Sequence, residues 1–64
     1  MKYVSKQNPN IVVDVREVKK DTVIKSPIYG EILVTKGNYI LKSEDGNEVG
    51  TTETDLNIFY EPAK

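Results

Sequence analysis

Hydrophobic and polar residues alternate in short runs along this chain, as expected of β-strands that turn one face toward a core. The clearest run is 11–18, in which Val13 and Val15 lie on one side and mostly polar residues lie on the other. Val18 is out of phase with Val15, which predicts a bulge or the end of the strand just before it. The density of β-branched residues favours a strand over a helix throughout this run.

Glycine-containing turns divide the middle of the chain, where residues 30–50 predict two consecutive β-hairpins. Asp45-Gly46 lies between two strand-forming runs, a combination that favours a tight hairpin turn, so we expect a positive φ at Gly46. Both strands of the first hairpin carry apolar residues on their two sides, which is typical of a small closed barrel or of a sheet with both faces covered. In chain order the segments are strand 31–35, turn 36–38, strand 39–43, the turn at Asp45-Gly46 and strand 48–51.

The remaining elements are predicted from shorter signals. Thr54 is suited to cap a single helical turn with Asp55 in its first positions, where the backbone amides favour a negative charge. The final strand should place Phe59 inward, in the core, and strand alternation then turns Tyr60 outward. The other predicted segments are a short edge strand within 1–6, a strand at 22–25, a β-turn at 27–30 and the final strand at 58–61.

These elements predict a single all-β domain over residues 1–64, with a polar amino-terminal segment at 1–10. We expect five or six short antiparallel strands in a small barrel or curled sheet of the SH3-like kind, with one helical turn before the last strand. A domain of this size buries only about 60% of its unfolded surface, so its core is small. Self-association into a homodimer would add stability, through an exposed strand edge at 11–15 or 58–60.

Composition excludes several classes of chemistry. The chain has no cysteine and no histidine, which removes disulfides, thiolate and imidazole metal sites, and every nucleophile that depends on an imidazole base. The acidic cluster 44–48 lacks the ligand spacing of a calcium loop. Carboxylate pairs such as Asp14 with Glu17 need a pocket that so short a chain hardly provides. We therefore predict no catalytic residue, no cofactor and no metal, and we do not expect an enzyme.

Charge is distributed unevenly along the chain. Residues 1–42 hold eight Lys or Arg and four Asp or Glu (+4), whereas residues 43–64 hold one Lys and six acids (−5), which gives the net charge of −1. The simplest interpretation is that the two parts complement each other within the fold. The alternative is a basic, tyrosine-bearing face that binds single-stranded nucleic acid. Its cations would be Lys2, Lys6, Arg16, Lys19, Lys20 and Lys25.

No segment has the pattern of a signal peptide, because the residues that follow Met1 are polar. The longest apolar run, 11–13, is far too short to span a membrane. We expect a cytoplasmic protein with no membrane attachment.

The carboxyl-terminal half resembles a family of small proteins from bacteriophages and prophages. In that family the segment reads Pro-Gly-Asp-Tyr-Ile-Val, then a glycine-containing turn, then an aromatic stretch that ends in Asp-Ile-Phe and Tyr-Glu-Pro. The matching residues here are Gly37-Asn38-Tyr39-Ile40-Leu41, Asp45-Gly46, Leu56 and Tyr60-Glu61-Pro62, with a looser match at Met1-Lys2-Tyr3, Lys6, Pro9 and Val13-Asp14-Val15.

The resemblance has clear departures. Lys36 replaces a frequent Pro, Asn38 replaces an Asp, and Thr51-Thr52-Glu53 stands where relatives have Cys-Lys-Pro. What the resemblance implies is a compact β-structure of phage or prophage origin, found in a bacterial host, and no assigned activity.

The predicted working surface combines exposed tyrosines with mobile cations. Tyr29 follows Pro27 in a loop, Tyr60 is expected to point outward, and Lys19 and Lys20 lie in the turn between the first two predicted strands. A rigid aromatic side chain supplies anchor energy at a protein interface, and nearby charges tune the encounter rate. We therefore predict a non-enzymatic protein that binds a host or phage protein through these four residues. The alternative is that both tyrosines only cover hydrophobic surface of the domain.

Overall fold

The computed structural model describes residues 1–26 and 28–63 as a sheet, a hairpin and one short helix. The predicted all-β domain is confirmed in part: the structure is mostly β, with seven strands among these residues where five or six were expected, and one short helix comes before the last strand. In chain order the elements are β1 (Lys2–Ser5), β2 (Val12–Glu17), β3 (Thr22–Ser26), β4 (Gly30–Val34), β5 (Tyr39–Lys42), β6 (Glu48–Thr51), α1 (Glu53–Phe59) and β7 (Tyr60–Pro62).

Five of the strands form one antiparallel sheet in the spatial order β6-β5-β2-β1-β7. The strands β3 and β4 pair only with each other and form a separate antiparallel hairpin. Within the described part of the chain, no ladder joins the hairpin to the sheet or closes the strands into a barrel. No helix in those residues is long and apolar enough to cross a membrane.

The second predicted hairpin is confirmed. Strand β5 pairs with β6, with Leu41 opposite Val49, and Gly46 in the turn has a φ of 89°. The Asp45 carboxylate organises this turn, because it accepts hydrogen bonds from the Ser43 hydroxyl (2.7 Å) and the Asn47 amide (3.0 Å). These hydrogen bonds lower the pKa of Asp45, and the bond from Ser43 has the largest effect.

The first predicted hairpin is wrong, because β4 pairs with β3 and not with β5. The connection after β4 is tied to the end of β2: the Gly37 amide donates to the Val18 carbonyl, and the Val18 amide donates to the Asn38 carbonyl, each at 2.9 Å. These two bonds hold the connection between β4 and β5 beside the end of β2, the central strand of the sheet. Strand β5 then begins beside β2, with Tyr39 opposite Glu17.

The predicted sheet edges are also wrong in two places. The segment 11–15 belongs to the middle of the sheet, where β2 is paired on both sides by β1 and β5. The edge strand expected within 1–6 is β1, which lies between β2 and β7. The β-turn expected at 27–30 starts at Pro27, outside the described residues, although Ile28 and Tyr29 do form a turn.

The sheet is covered on both faces by separate groups of apolar side chains. Two neighbouring residues of β5 divide between them: Leu41 lies in the first core and Ile40 in the second. Val18 belongs to the second core, so its change of phase after Val15 moves it to the face that the hairpin covers. The first core is Val13, Val15, Leu41 and Leu56, and the second core is Val18, Ile24, Val34 and Ile40.

The helix is longer than the single turn predicted, and it changes the role of the final aromatic residues. Its cap is Thr52, not Thr54: the Thr52 hydroxyl accepts a hydrogen bond from the Asp55 amide at 3.2 Å. Leu56 is the residue of this helix that is buried. Phe59 is still helical and 53% exposed, whereas Tyr60 packs against the first core. The predicted inward Phe59 and outward Tyr60 are therefore wrong, because strand alternation begins only after the helix ends.

The hairpin packs closely on the sheet at Gly50, and this contact generates a prediction. A Cβ at this position would lie 2.8 Å from Cγ2 of the buried Val34. Gly50→Ala should therefore destabilise the fold by about 1–3 kcal/mol, the usual range for overpacking. In a Val34→Ala background the clash is absent, and the same change should cost less than about 0.5 kcal/mol. Urea denaturation of the unmodified protein, the two single variants and the double variant measures these free energies of unfolding. An equal loss of stability from Gly50→Ala in both backgrounds would contradict this packing.

Candidate functional site

The described residues contain no group of three or more side chains that could hold a metal ion. Asp14 and Glu17, considered as a possible acid–base pair, are both exposed, and the Asp14 carboxylate lies 3.7 Å from the Lys2 ammonium. Burial first, and then the charges of Glu53 and Glu17, raise the pKa of Tyr39, which keeps that phenol protonated.

Four large apolar side chains project from the hairpin into solvent, and we call them the hairpin surface: Val23, Ile28, Tyr29 and Leu33. They are between 56% and 81% exposed. Val23 and Leu33 are direct partners across β3 and β4, so their side chains lie next to each other. Their neighbours Ile24 and Ile32 point to the opposite face: Ile24 is part of the second core, and Ile32 packs against it. The hairpin is thus apolar on both faces, with only the inner face covered.

The turn that carries Ile28 and Tyr29 is held in place by its own hydrogen bonds. The Ser26 hydroxyl oxygen accepts from the amides of both residues at 3.2 Å. Gly30 follows with a φ of 75°, a conformation that favours glycine and lets the chain return into β4. The two most exposed side chains of the hairpin surface therefore extend from an ordered backbone.

A groove of about 420 Å³ separates β4 from β6. One wall is the consecutive stretch 32–35, and the other is the consecutive stretch 49–52. Tyr29 and Asp55 also line the groove, so the hairpin surface continues into it through Tyr29 and Leu33. The volume lies within the usual range for ligand pockets, and its lining is mainly apolar and uncharged.

The four residues predicted to form the working surface lie in three different places. Tyr29 belongs to the hairpin surface, whereas Lys19 and Lys20 are exposed in the bend before β3. The five residues of β3 lie between them and correspond to about 17 Å. Tyr60 lies on β7, at the sheet edge opposite β6, and packs against the first core.

The sequence pattern does not single out Val23 and Leu33, although they dominate the exposed face of the hairpin. In a sheet covered on one side only, the polar residues of each strand mark the outer face. Here the outer face of β3 and β4 carries Val23 and Leu33 next to Lys25 and Glu31, so apolar residues occur on both sides. One signal in the sequence pointed to Leu33: it lies between Ile32 and Val34, whose side chains belong on the core side of the strand, so the Leu33 side chain must point outward.

The cations proposed for a nucleic-acid face are interleaved with acceptors. Lys2 pairs with Asp14, and Arg16 lies 3.4 Å from Glu48. The Lys6 ammonium donates to the backbone carbonyl of Asn57. Three of the six cations thus have partners within the protein, and one of these contacts, the Arg16–Glu48 pair, joins the basic part of the chain to an acid of the acidic part. These exposed pairs stabilise the fold little.

No family model, no curated protein and no solved structure matches this chain. The case for a function therefore depends on the hairpin surface and the groove.

The different environments of Tyr29 and Tyr60 generate a prediction. Tyr60→Ala removes a ring that packs on the first core and should lower the free energy of unfolding by about 2 kcal/mol. Tyr29→Ala removes an exposed ring and should change it by less than about 0.5 kcal/mol. Tyr60→Phe is the matched control, since it keeps the packed ring. Chemical denaturation measures all three, and equal losses for both alanine variants would contradict these placements.

Proposed function

We propose that this protein is a non-enzymatic binding module that docks onto another protein through the hairpin surface. The observation that carries the proposal is the group of four large apolar side chains held in solvent by an ordered hairpin. Large exposed apolar side chains gathered on one element mark an interaction site more often than the same number scattered singly, and here only Lys25 and Glu31 on the outer face separate the Val23–Leu33 pair from the turn. An exposed Tyr at its end supplies the kind of rigid anchor that dominates binding energy at interfaces.

The total exposed area supports the same proposal. The surface measures 4814 Å², whereas a compact protein of 7.2 kDa is expected to expose about 4,100 Å². The excess of about 700 Å² is close to the roughly 800 Å² that each partner contributes to a standard protein interface. Burial of about 800 Å² in an interface would therefore reduce the exposed area of this chain to about the value expected for a compact protein of its mass.

We propose further that the architecture is a small barrel of the SH3-like kind, open between β4 and β6. The resemblance of residues 37–41 and 60–62 to phage and prophage proteins leads us to propose an accessory role, with a host or phage protein as the partner. The exposed Lys19 and Lys20 lie at the other end of the hairpin, where their charges would affect the encounter rate with a charged partner more than the affinity.

The test uses two matched pairs of substitutions. The variant Tyr29→Ser/Leu33→Ser removes two side chains of the hairpin surface, and the control Ile58→Ser/Phe59→Ser removes two similarly exposed apolar side chains from the helix. Each protein, immobilised, is used to capture partners from bacterial lysate, and its folding is checked by circular dichroism. We expect the hairpin variant to lose the captured protein while keeping its melting temperature, and the control to retain both.

Capture that survives the hairpin substitutions but not the helix substitutions would contradict the proposed surface. A salt titration of the captured complex separates the alternative of nucleic-acid binding. Binding through phosphate contacts weakens steeply with salt concentration, whereas an apolar protein interface does not.

A further inference from the structure

The groove between β4 and β6 is lined by strand edges. Side chains of a strand alternate between its two faces, so consecutive residues line one groove only where the edge of the strand is turned toward it. The stretches 32–35 and 49–52 both line the groove without a gap. Main-chain segments of both strands therefore line the groove, and the two strands meet at one end of it, where a Cβ on Gly50 would lie 2.8 Å from Cγ2 of Val34.

Neither edge is paired within residues 1–26 and 28–63. The one partner of β6 is β5, the one partner of β4 is β3, and no backbone hydrogen bond joins β4 to β6. Free strand edges are templates for another strand, and proteins usually protect them with Lys, Pro or a bulge. Neither strand contains Lys or Pro, and the side chain of Glu48 in β6 is turned toward Arg16 on its own sheet.

The chemistry of the groove specifies what would fill it. Leu33 and Val49 are each about half exposed beside it, and they offer apolar contacts to side chains that arrive from outside. Asp55 is the one charged residue among those that line the groove, and in the described structure its carboxylate has no ion-pair partner. A cation beside apolar residues is the complement of this lining.

We propose that the groove binds an extended, basic segment of a partner protein by strand addition. The backbone of the segment pairs with the free edge of β6, alternate apolar side chains contact Leu33 and Val49, and a Lys or Arg pairs with Asp55. This inference rests on the proposed protein-binding function and adds to it the conformation and chemistry of the bound segment.

Charge favours a foreign segment over a second copy of this chain. Antiparallel pairing of β6 with β6 of another copy would bring together two grooves that each hold Asp55 and, among the described lining residues, no Lys or Arg. Like charges placed opposite each other on paired strands are destabilising. A segment that carries Lys or Arg meets no such repulsion.

The test begins with selection from a display library of random linear peptides against the purified protein. Enriched peptides should contain alternating apolar residues and at least one Lys or Arg. Each is then resynthesised with one backbone amide methylated at a time, and its affinity is measured by fluorescence anisotropy. Since a strand pairs through every second residue, methylation should weaken binding at least tenfold at alternate positions and have little effect between them.

Two variants with the same change of charge test the role of Asp55. Asp55→Lys should weaken binding of the enriched peptides at least tenfold. Glu44→Lys changes an exposed acid in the β5–β6 turn, away from the groove, and should leave binding within about twofold of the unmodified protein. Circular dichroism verifies that both variants are folded.

The outcomes separate this inference from the proposed function. Failure to enrich any peptide, or an affinity that does not alternate with the methylated position, overturns strand addition. Peptide binding that is lost with Val23→Ser but not with Asp55→Lys overturns it too, while the hairpin surface remains a docking site. Sedimentation measures the oligomeric state with and without the selected peptides. A dimer that the peptides dissociate would assign the groove to a second copy of this chain, and the proposal of a foreign segment would then be wrong.

Discussion

The structure depends on one pair of neighbouring residues in β5 that bury opposite faces of the same sheet. Ile40 is 1% exposed and Leu41 is 6% exposed, although strand geometry turns their side chains in opposite directions. Each therefore requires its own cover. The helix provides it for Leu41 through Leu56, and the hairpin provides it for Ile40 through Ile24 and Val34. A chain of 64 residues thus forms three layers, in which the sheet lies between the helix and the hairpin.

This arrangement has a consequence for what remains exposed. Each covering layer is a single short element, because so few residues are left after the five-stranded sheet is built. A two-stranded hairpin covers the second core with its inner face and has nothing to cover its outer face. In the described part of the chain, the small number of residues also leaves one edge of β4 and one edge of β6 without a paired strand. The exposed apolar surface and the free edges are direct results of covering a two-faced sheet with minimal elements.

The parts of this fold that follow from local sequence were predictable. Asp45-Gly46 specifies its turn through glycine conformation and carboxylate hydrogen bonds, and the alternation around Val13 and Val15 specifies a strand with one buried face. The pairing of Val15 with Leu41 has no local signal, because 25 residues separate the two strand positions along the chain. The turn residues 36–38 are as compatible with a hairpin as with the connection that the structure shows. The hydrogen bonds that join Gly37 and Asn38 to Val18 fix the observed connection, and they have no signal in the local sequence.

The same limit applied to the candidate site. Tyr29 was identifiable as a loop aromatic, but the phase of Tyr60 depended on where the helix ended, and β-forming residues at 58–60 favoured a strand there. Burial of Leu56 against the sheet overrides that local preference and extends the helix through Phe59. Val23 and Leu33 became recognisable as a surface only when the pairing of β3 with β4 placed them together.

Native-state hydrogen exchange, measured residue by residue by NMR, tests the central role of β5 most directly. If Ile40 and Leu41 join two cores, the paired amides of β2 and β5 should exchange only through global unfolding and be the most protected in the protein. The paired amides of β3 and β4 should exchange through smaller openings, with lower protection. Hairpin amides as protected as those of β5, or β5 amides that exchange at the rate of the hairpin, would contradict a fold organised around that strand.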